Sequence, residues 1–269
     1  MAIHPTAIID KSAEIDPTVE VGAYAIIEGD VHIGPQTRIY PHAYISRGTT
    51  LGRACQIHPF AIVGHLPQDT KYDDAPTYTN IGNETIIREH ASVHRGTAPE
   101  STTSVGPRCF IMATAHVGHN CTVGEEVTLV NAVLLAGHVQ VGRRAFLSGG
   151  VGIHQFVRIG EMAILSGRTP VTRDVPPFMM VVESHVVGLN VVGLRRAGLT
   201  NEERHEIRQA HQILYRQDRA FSAAVDQVAE MVQTEPGRRL VEFLRAESKR
   251  GYATAADNKD REPDEREDM

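Results

Sequence analysis

Four histidines fall at spacings that could do chemistry. The chain has 14 histidines in 269 residues, and His116, His119, His138 and His154 lie in its middle third, beside Asn120, Gly137 and Gln155. A histidine titrates near neutrality and can take a proton from a hydroxyl within hydrogen-bond reach. Three histidines can also hold zinc with one position open to water. Each alone has an ordinary alternative as an exposed or structurally hydrogen-bonded side chain; as a group they point to proton transfer or metal binding. A second set is cationic: Arg143, Arg144, Arg158, Arg168, Arg173, Arg195 and Arg196. Guanidinium groups give fixed donors to oxyanions, which suggests a patch for an acidic carrier protein or a diphosphate, against the plain alternative of a solvated surface. Cys55, Cys109 and Cys121 form no CxxC pair, which argues against a disulfide scaffold or zinc knuckle.

Something must bring histidines that are distant in sequence together, and the aliphatic pattern supplies it. Stepping by six from Ile3 reaches an unbroken series to Val63, then Ile81, Ile87 and Val93, then Val105 through Val171. Neither a 3.6-residue helical period nor simple alternation explains a strict six. A coil with three short flat faces does: each hexad is one face, and three hexads close a turn. The aliphatic residue points inward, with small residues such as Ala7, Ala13, Ala25, Ala43 and Ala61 two positions before it. Glycine often follows the aliphatic residue, as at Gly22, Gly34 and Gly52, and is expected to suit the corner. The chain is thus expected to be mainly β, a parallel β-helix over residues 1–190. An ordinary sandwich would not hold one phase for so long.

Two polar, proline-containing stretches, Gly64 to Asn80 and His94 to Ser104, read as loops leaving the rod, where binding groups tend to be displayed. The repeat is expected to stop at Asp174-Val175-Pro176-Pro177, where prolines remove ladder donors. A Gly- and Val-rich connector then leads into a helical domain, 191–252. Its first helix opens at Thr200 with Glu203 closing a capping box; a second is expected over Ser222–Gln233, and a third starts with Pro236 in its first turn. Residues 253–269 read as a disordered charged tail. Seven acids and three bases between 257 and 269 supply most of the net charge of -6, so the rest forecasts no nucleic-acid binding. No apolar run is long enough for a membrane span, and no signal segment opens the chain, so a soluble cytoplasmic protein without integral membrane contact is expected.

An ordered set of segments carries a family resemblance: Gln68-Asp69-Thr70-Lys71-Tyr72, Val93-His94-Arg95-Gly96-Thr97, His116-Val117-Gly118-His119-Asn120-Cys121, Leu135-Ala136-Gly137-His138-Val139, Ile153-His154-Gln155-Phe156 and Ile213-Leu214-Tyr215-Arg216. Together they resemble the acyl-[acyl-carrier-protein]:UDP-N-acetylglucosamine O-acyltransferases of lipid A synthesis, across essentially residues 1–250. The resemblance implies a left-handed coil, although crossover chirality in general favours the right-handed one. It also implies a homotrimer with sites between adjacent rods, and a 3-hydroxyacyl donor on the phosphopantetheine of acyl carrier protein, with no bound cofactor or metal. By position, His119 resembles the general base, Asn120 its neighbour, and the Gly137 N–H the oxyanion donor. Asp69, Lys71, His116, His138, His154 and Gln155 match substrate-positioning residues. Gly167 falls where the family limits acyl length, and Asn190, Arg196 and Tyr215 match positions for the nucleotide or carrier phosphate.

Three residues depart from that pattern. Asn120 stands where the family commonly has Asp; it can orient a ring but brings no charge. Val192 and Ala197 replace a Glu and an Arg near the nucleotide, which leaves a 3-amino sugar analogue open as acceptor. A zinc hydratase of the γ-carbonic-anhydrase kind and a non-catalytic trimeric scaffold are the rival readings.

Overall fold

A computed structural model of the chain describes residues 2–217 and 219–255 and contains three sheets of 11, 9 and 8 strands. Apart from the last two strands of the largest, each sheet advances by three strands in chain order, so one chain winds around a three-sided, left-handed prism. Its first face begins with Ala2–Ile3, the second with Ile8–Ile9 and the third with Glu14–Ile15. Register carries the repeat: Ile3 pairs with Val21, Val21 with Ile39 and Ile39 with Ile57. Each inward residue therefore stacks on its counterpart one coil away, and the inward aliphatic series over the three faces is buried from Val21 to Val171. Full burial of one such side chain contributes about 1.5–3 kcal/mol.

The position two before the aliphatic residue also points in and is filled mostly by Ala, Cys, Thr and Val. Ala25, Ala43 and Ala61 are fully buried there, and so are Cys55, Cys109 and Cys121, all free thiols. The cysteines are packing residues.

The corners differ from the sequence expectation. The left-handed backbone falls three residues after the aliphatic position and is mostly non-glycine, as at Tyr24, Gln36, Phe60, Asn120 and His138, with φ between 58° and 61°. The glycine immediately after the aliphatic residue has another cause: a Cβ on Gly22 would lie 2.6 Å from Pro41 N on the next coil. Between them, two after the aliphatic residue, is a position whose N–H the ladder leaves unused, except at Arg95, where an excursion begins. Pro5, Pro17, Pro35, Pro41, Pro59 and Pro107 all occupy it.

That position also explains why Pro177 does not end the rod. Pro177 takes the corner place after Val175, which still pairs with Ile159, and Met179–Val182 continues the first face against Ile164–Leu165. The connector is likewise structured. His185–Leu189 folds back antiparallel on Met179–Val182, and α1, Val191–Arg196, follows. The loops are shorter than expected. Tyr78–Ile81 and Thr102–Val105 are strands paired to each other, which leaves 66–77 and 95–101 as the excursions. They insert multiples of six, so Ile57 pairs with Ile87 and Val93 with Val117 in unbroken phase.

The remaining helices are α2, Asn201–Tyr215, α3, Phe221–Met231, and α4, Glu235–Arg245. The Thr200–Glu203 capping box is formed, and Pro236 lies in the first turn of α4. Glu161 ties α4 to the rod, receiving Arg239 and Arg143 at 2.6 Å each. The buried Asp174 receives Arg158 at 2.7 Å. The chain then returns along the rod: Tyr252 pairs with Asp174 and Ala255 with Val186. Residues 253–255 are therefore paired structure and not tail, while 256–269 lie outside the described residues.

Candidate active site

The coil repeat sets two columns along the edge that follows the second face. His119, Gly137 and Gln155 occupy successive levels of one, and Asn120, His138 and Phe156 of the other. Gly137 is where the first column has no side chain. A Cβ there would fall 2.4 Å from His119 Cε1 and 2.5 Å from Nε2, so the imidazole lies over the bare Gly137 backbone. Because Gly137 also holds the corner position that the ladder leaves unused, its N–H has no acceptor among the described residues. An imidazole nitrogen and a free N–H thus sit side by side.

The partners of His119 fix its other nitrogen. Nδ1 lies 2.9 Å from Asn120 Oδ1, and Asn120 N donates to Thr103 Oγ1 at 2.7 Å. His138 sits edge-on to His119 at 5.3 Å between centroids and stacks on Phe156 at 4.7 Å. Burial holds the His138 imidazole below its ordinary pKa, helped by His119 and Lys249 and opposed by Asp69, which brings the Asp69 carboxylate into this neighbourhood. Ser92 bonds His116 Nδ1 at 2.8 Å, and burial lowers the His116 pKa as well. Both rings are therefore neutral near pH 7 and can donate and accept without charge.

His154 and Gln155 lie one coil further on and are held from an unexpected direction. Arg250 Nη2 lies 2.6 Å from His154 Nδ1, and Arg250 Nε donates to Gln155 O at 2.8 Å. Lys249 Nζ sits 4.8 Å from the centre of the Phe156 ring. Neither Lys249 nor Arg250 is marked by any sequence pattern, since their partners lie far back along the chain. His94 was also missed: it is buried edge-on to His116 at 4.7 Å, and burial pushes its pKa down to about 4.

Other expected site residues do not join this edge within one chain. Lys71 is exposed, its backbone N–H bonded to Asp69 Oδ1. Gly167 lies on the edge after the first face, beside Arg168 and Ser184 in an open cleft of about 360 Å³. Asn190 caps α1 and donates to Met162 O on the third edge, and Arg196 is exposed at the end of α1. Tyr215 departs furthest from expectation. Its ring packs with His211 and Phe221, and its hydroxyl is buried without a partner among the described residues, because the helices close over it. The arginine patch is also divided: Arg143, Arg144 and Arg158 are spent on Glu161, Glu126 and Asp174, whereas Arg168, Arg173, Arg195 and Arg196 form no ion pair among the described residues.

Among the described residues of the single chain, no three His, Cys, Asp or Glu side chains are grouped to hold a metal ion. No helix among them is long and apolar enough to cross a membrane.

Comparison with known proteins identifies the family. Residues 174–253 match a family model described as UDP-N-acetylglucosamine O-acyltransferase, domain 2. An acyl-[acyl-carrier-protein]–UDP-N-acetylglucosamine O-acyltransferase of Paraburkholderia phytofirmans is 45% identical over 259 residues, covering 93% of this chain and 98% of the relative. The corresponding protein of Burkholderia lata is 43% identical over the same shares of both chains. The solved UDP-N-acetylglucosamine acyltransferase of Francisella novicida superposes with a TM-score of 0.92 at 34% identity, covering 95% of each chain. With relatives this similar over nearly its whole length, the chain belongs to the acyl-[acyl-carrier-protein]–UDP-N-acetylglucosamine O-acyltransferase family.

Proposed function

We propose that this protein transfers a 3-hydroxyacyl chain from acyl carrier protein to the glucosamine 3-hydroxyl of UDP-N-acetylglucosamine, the first step of lipid A synthesis, in the cytoplasm. The observation that carries the chemistry is the His119 ring lying over Gly137, beside an N–H with no protein acceptor among the described residues. Asn120 accepts from Nδ1, which leaves the Nε2 lone pair for the sugar hydroxyl. As that oxygen attacks the thioester carbon, His119 takes its proton, and the negative charge gathering on the carbonyl oxygen is met by the Gly137 N–H. Collapse of the tetrahedral intermediate breaks the carbon–sulfur bond, and His119 returns the proton to the departing phosphopantetheine thiolate. A thioester is already activated, so the residues need only supply a base, a donor and positioning.

His116, His138, His154, Gln155, Asp69 and Lys71 are assigned to positioning the sugar nucleotide and the acyl chain, and Gly167 to the end of the acyl groove. Asn190 and Arg196 are assigned to the nucleotide or carrier phosphate, whereas the enclosed Tyr215 is left to helix packing. Asn190 and Arg196 lie off the histidine edge within one chain, which is what a site shared between neighbouring rods of a homotrimer requires.

Incubating the purified protein with acyl carriers of defined chain length and UDP-N-acetylglucosamine should yield an O-acylated sugar nucleotide by mass. Absence of an acyl product with any donor, while carrier binding persists, would leave a scaffold and remove the enzyme. Product only with the 3-amino sugar nucleotide would transfer the assignment to N-acylation. Light scattering should return the mass of three chains.

A further inference from the structure

The excursion 95–101 lays Thr97 against Asn120, and this contact decides something that Asn120 alone leaves open. Asn120 Oδ1 accepts from the Thr97 backbone N–H at 3.2 Å and from Thr97 Oγ1 at 2.9 Å, in addition to facing His119 Nδ1 at 2.9 Å. A carboxamide has one accepting and one donating end. When Oδ1 faces the ring, Nδ1 must carry the ring proton and Nε2 keeps its lone pair over Gly137. When the amide is turned over, Nδ2–H donates to Nδ1, the proton moves to Nε2, and the base disappears.

Nothing in the His119–Asn120 pair prefers one arrangement, because each satisfies the bond between them. A backbone N–H breaks the tie, since it can only donate. A turned amide would set its NH2 group against the Thr97 N–H and leave a part-buried donor unpaired, which is unfavourable. The Thr97 hydroxyl adds a second donor to the same oxygen. Asn120 itself is held in place by a left-handed φ of 59°, which asparagine tolerates, and by Thr103.

We propose that Thr97 is a positioning residue that fixes the amide face of Asn120 and, through it, the proton-accepting tautomer of His119. This deepens the assignment of His119 as general base and rests on it. A carboxylate at position 120 would have no donating end, so an aspartate would need no such selection. An asparagine does.

The distinguishing experiment is therefore a double-mutant cycle. Thr97→Pro, which removes the backbone N–H, should lower kcat about tenfold with KM nearly unchanged, whereas Thr97→Val, which keeps that N–H and loses only the hydroxyl, should stay within about twofold. In an Asn120→Asp background, the same Thr97→Pro change should cost less than about twofold. Independently of turnover, 15N spectra of histidine-labelled protein should show His119 protonated at Nδ1 in the native chain and in Thr97→Val, and mixed between the two nitrogens in Thr97→Pro. Equal losses from Thr97→Pro in both backgrounds, or an unmixed tautomer in that variant, would overturn the proposal. Near-normal turnover in His119→Gln would remove the parent assignment instead, and the tautomer spectra of the Thr97 pair would still decide the contact.

Discussion

Along the edge after the first face, Tyr24, His42, Phe60 and His90 stand one per coil in the left-handed conformation, with ring centroids 5.0 to 5.2 Å apart and nearly parallel. Along the edge after the second face, the equivalent column holds Asn120, His138 and Phe156, and only the last two stack. His119 and His138 meet at 90° because His119 comes from the neighbouring column and tips into the space over Gly137. Both edges use one backbone rule, a corner repeated once per coil. The first fills each level with a flat ring and becomes a ladder. The second omits one side chain, and the gap admits a reactive nitrogen beside an unused N–H. A repeat makes structure where it is kept and chemistry where it is interrupted.

Filling the gap should erase the difference between the edges. Gly137→Ala would put a methyl inside the His119 ring and should lower kcat by roughly 100-fold or more, as His119→Ala should. Steady-state kinetics on correctly folded protein would check both, and a Gly137→Ala enzyme within about threefold of normal would show that the gap is not required.

Acid should weaken the second edge from within. His94 is buried, with its pKa pushed down to about 4, whereas unfolding returns it to about 6.5. Between those values the unfolded chain binds a proton that the folded chain does not. Stability is therefore complete above pH 6.5 and falls as pH drops toward 4. The loss should be about 2 kcal/mol at pH 5 for His94. His211, buried among the helices and also lowered to about 4, should add a similar amount. Denaturant unfolding at pH 7 and pH 5 would measure the sum, and His94→Gln should halve the pH dependence. An unchanged slope in that variant would place the acid sensitivity elsewhere.

The ladder should respond least. Phe60→Ala interrupts two stacked contacts at a ring that is 48% exposed, so it should cost about 1 kcal/mol and leave kcat and KM unchanged. A large loss of turnover would mean that the first edge takes part in catalysis.

The six-residue period was readable because burial repeats with the coil: Val117, Leu135 and Ile153 stack where counting puts them. The same counting places Gly137 one level above His119. Pro177 misled because its effect depends on which N–H the coil leaves unused, a property of the corner and not of proline. The Thr97–Asn120 contact was out of reach for a different reason. Its offset along the chain is set by how the excursion returns, and no periodicity governs a loop.

What the amino-acid order determined by itself was the prism, its levels and the company of His119, because side chains tied to a fixed period need only arithmetic to be located. Tertiary structure alone decided which nitrogen of His119 is free, that Arg250 closes on His154, and that Tyr215 turns inward. Those depend on the path of an excursion, on a late segment of the chain returning to the rod, and on helix packing. Hydrogen bonds are short and directional, so they are settled only when both partners have been delivered to within an ångström of each other.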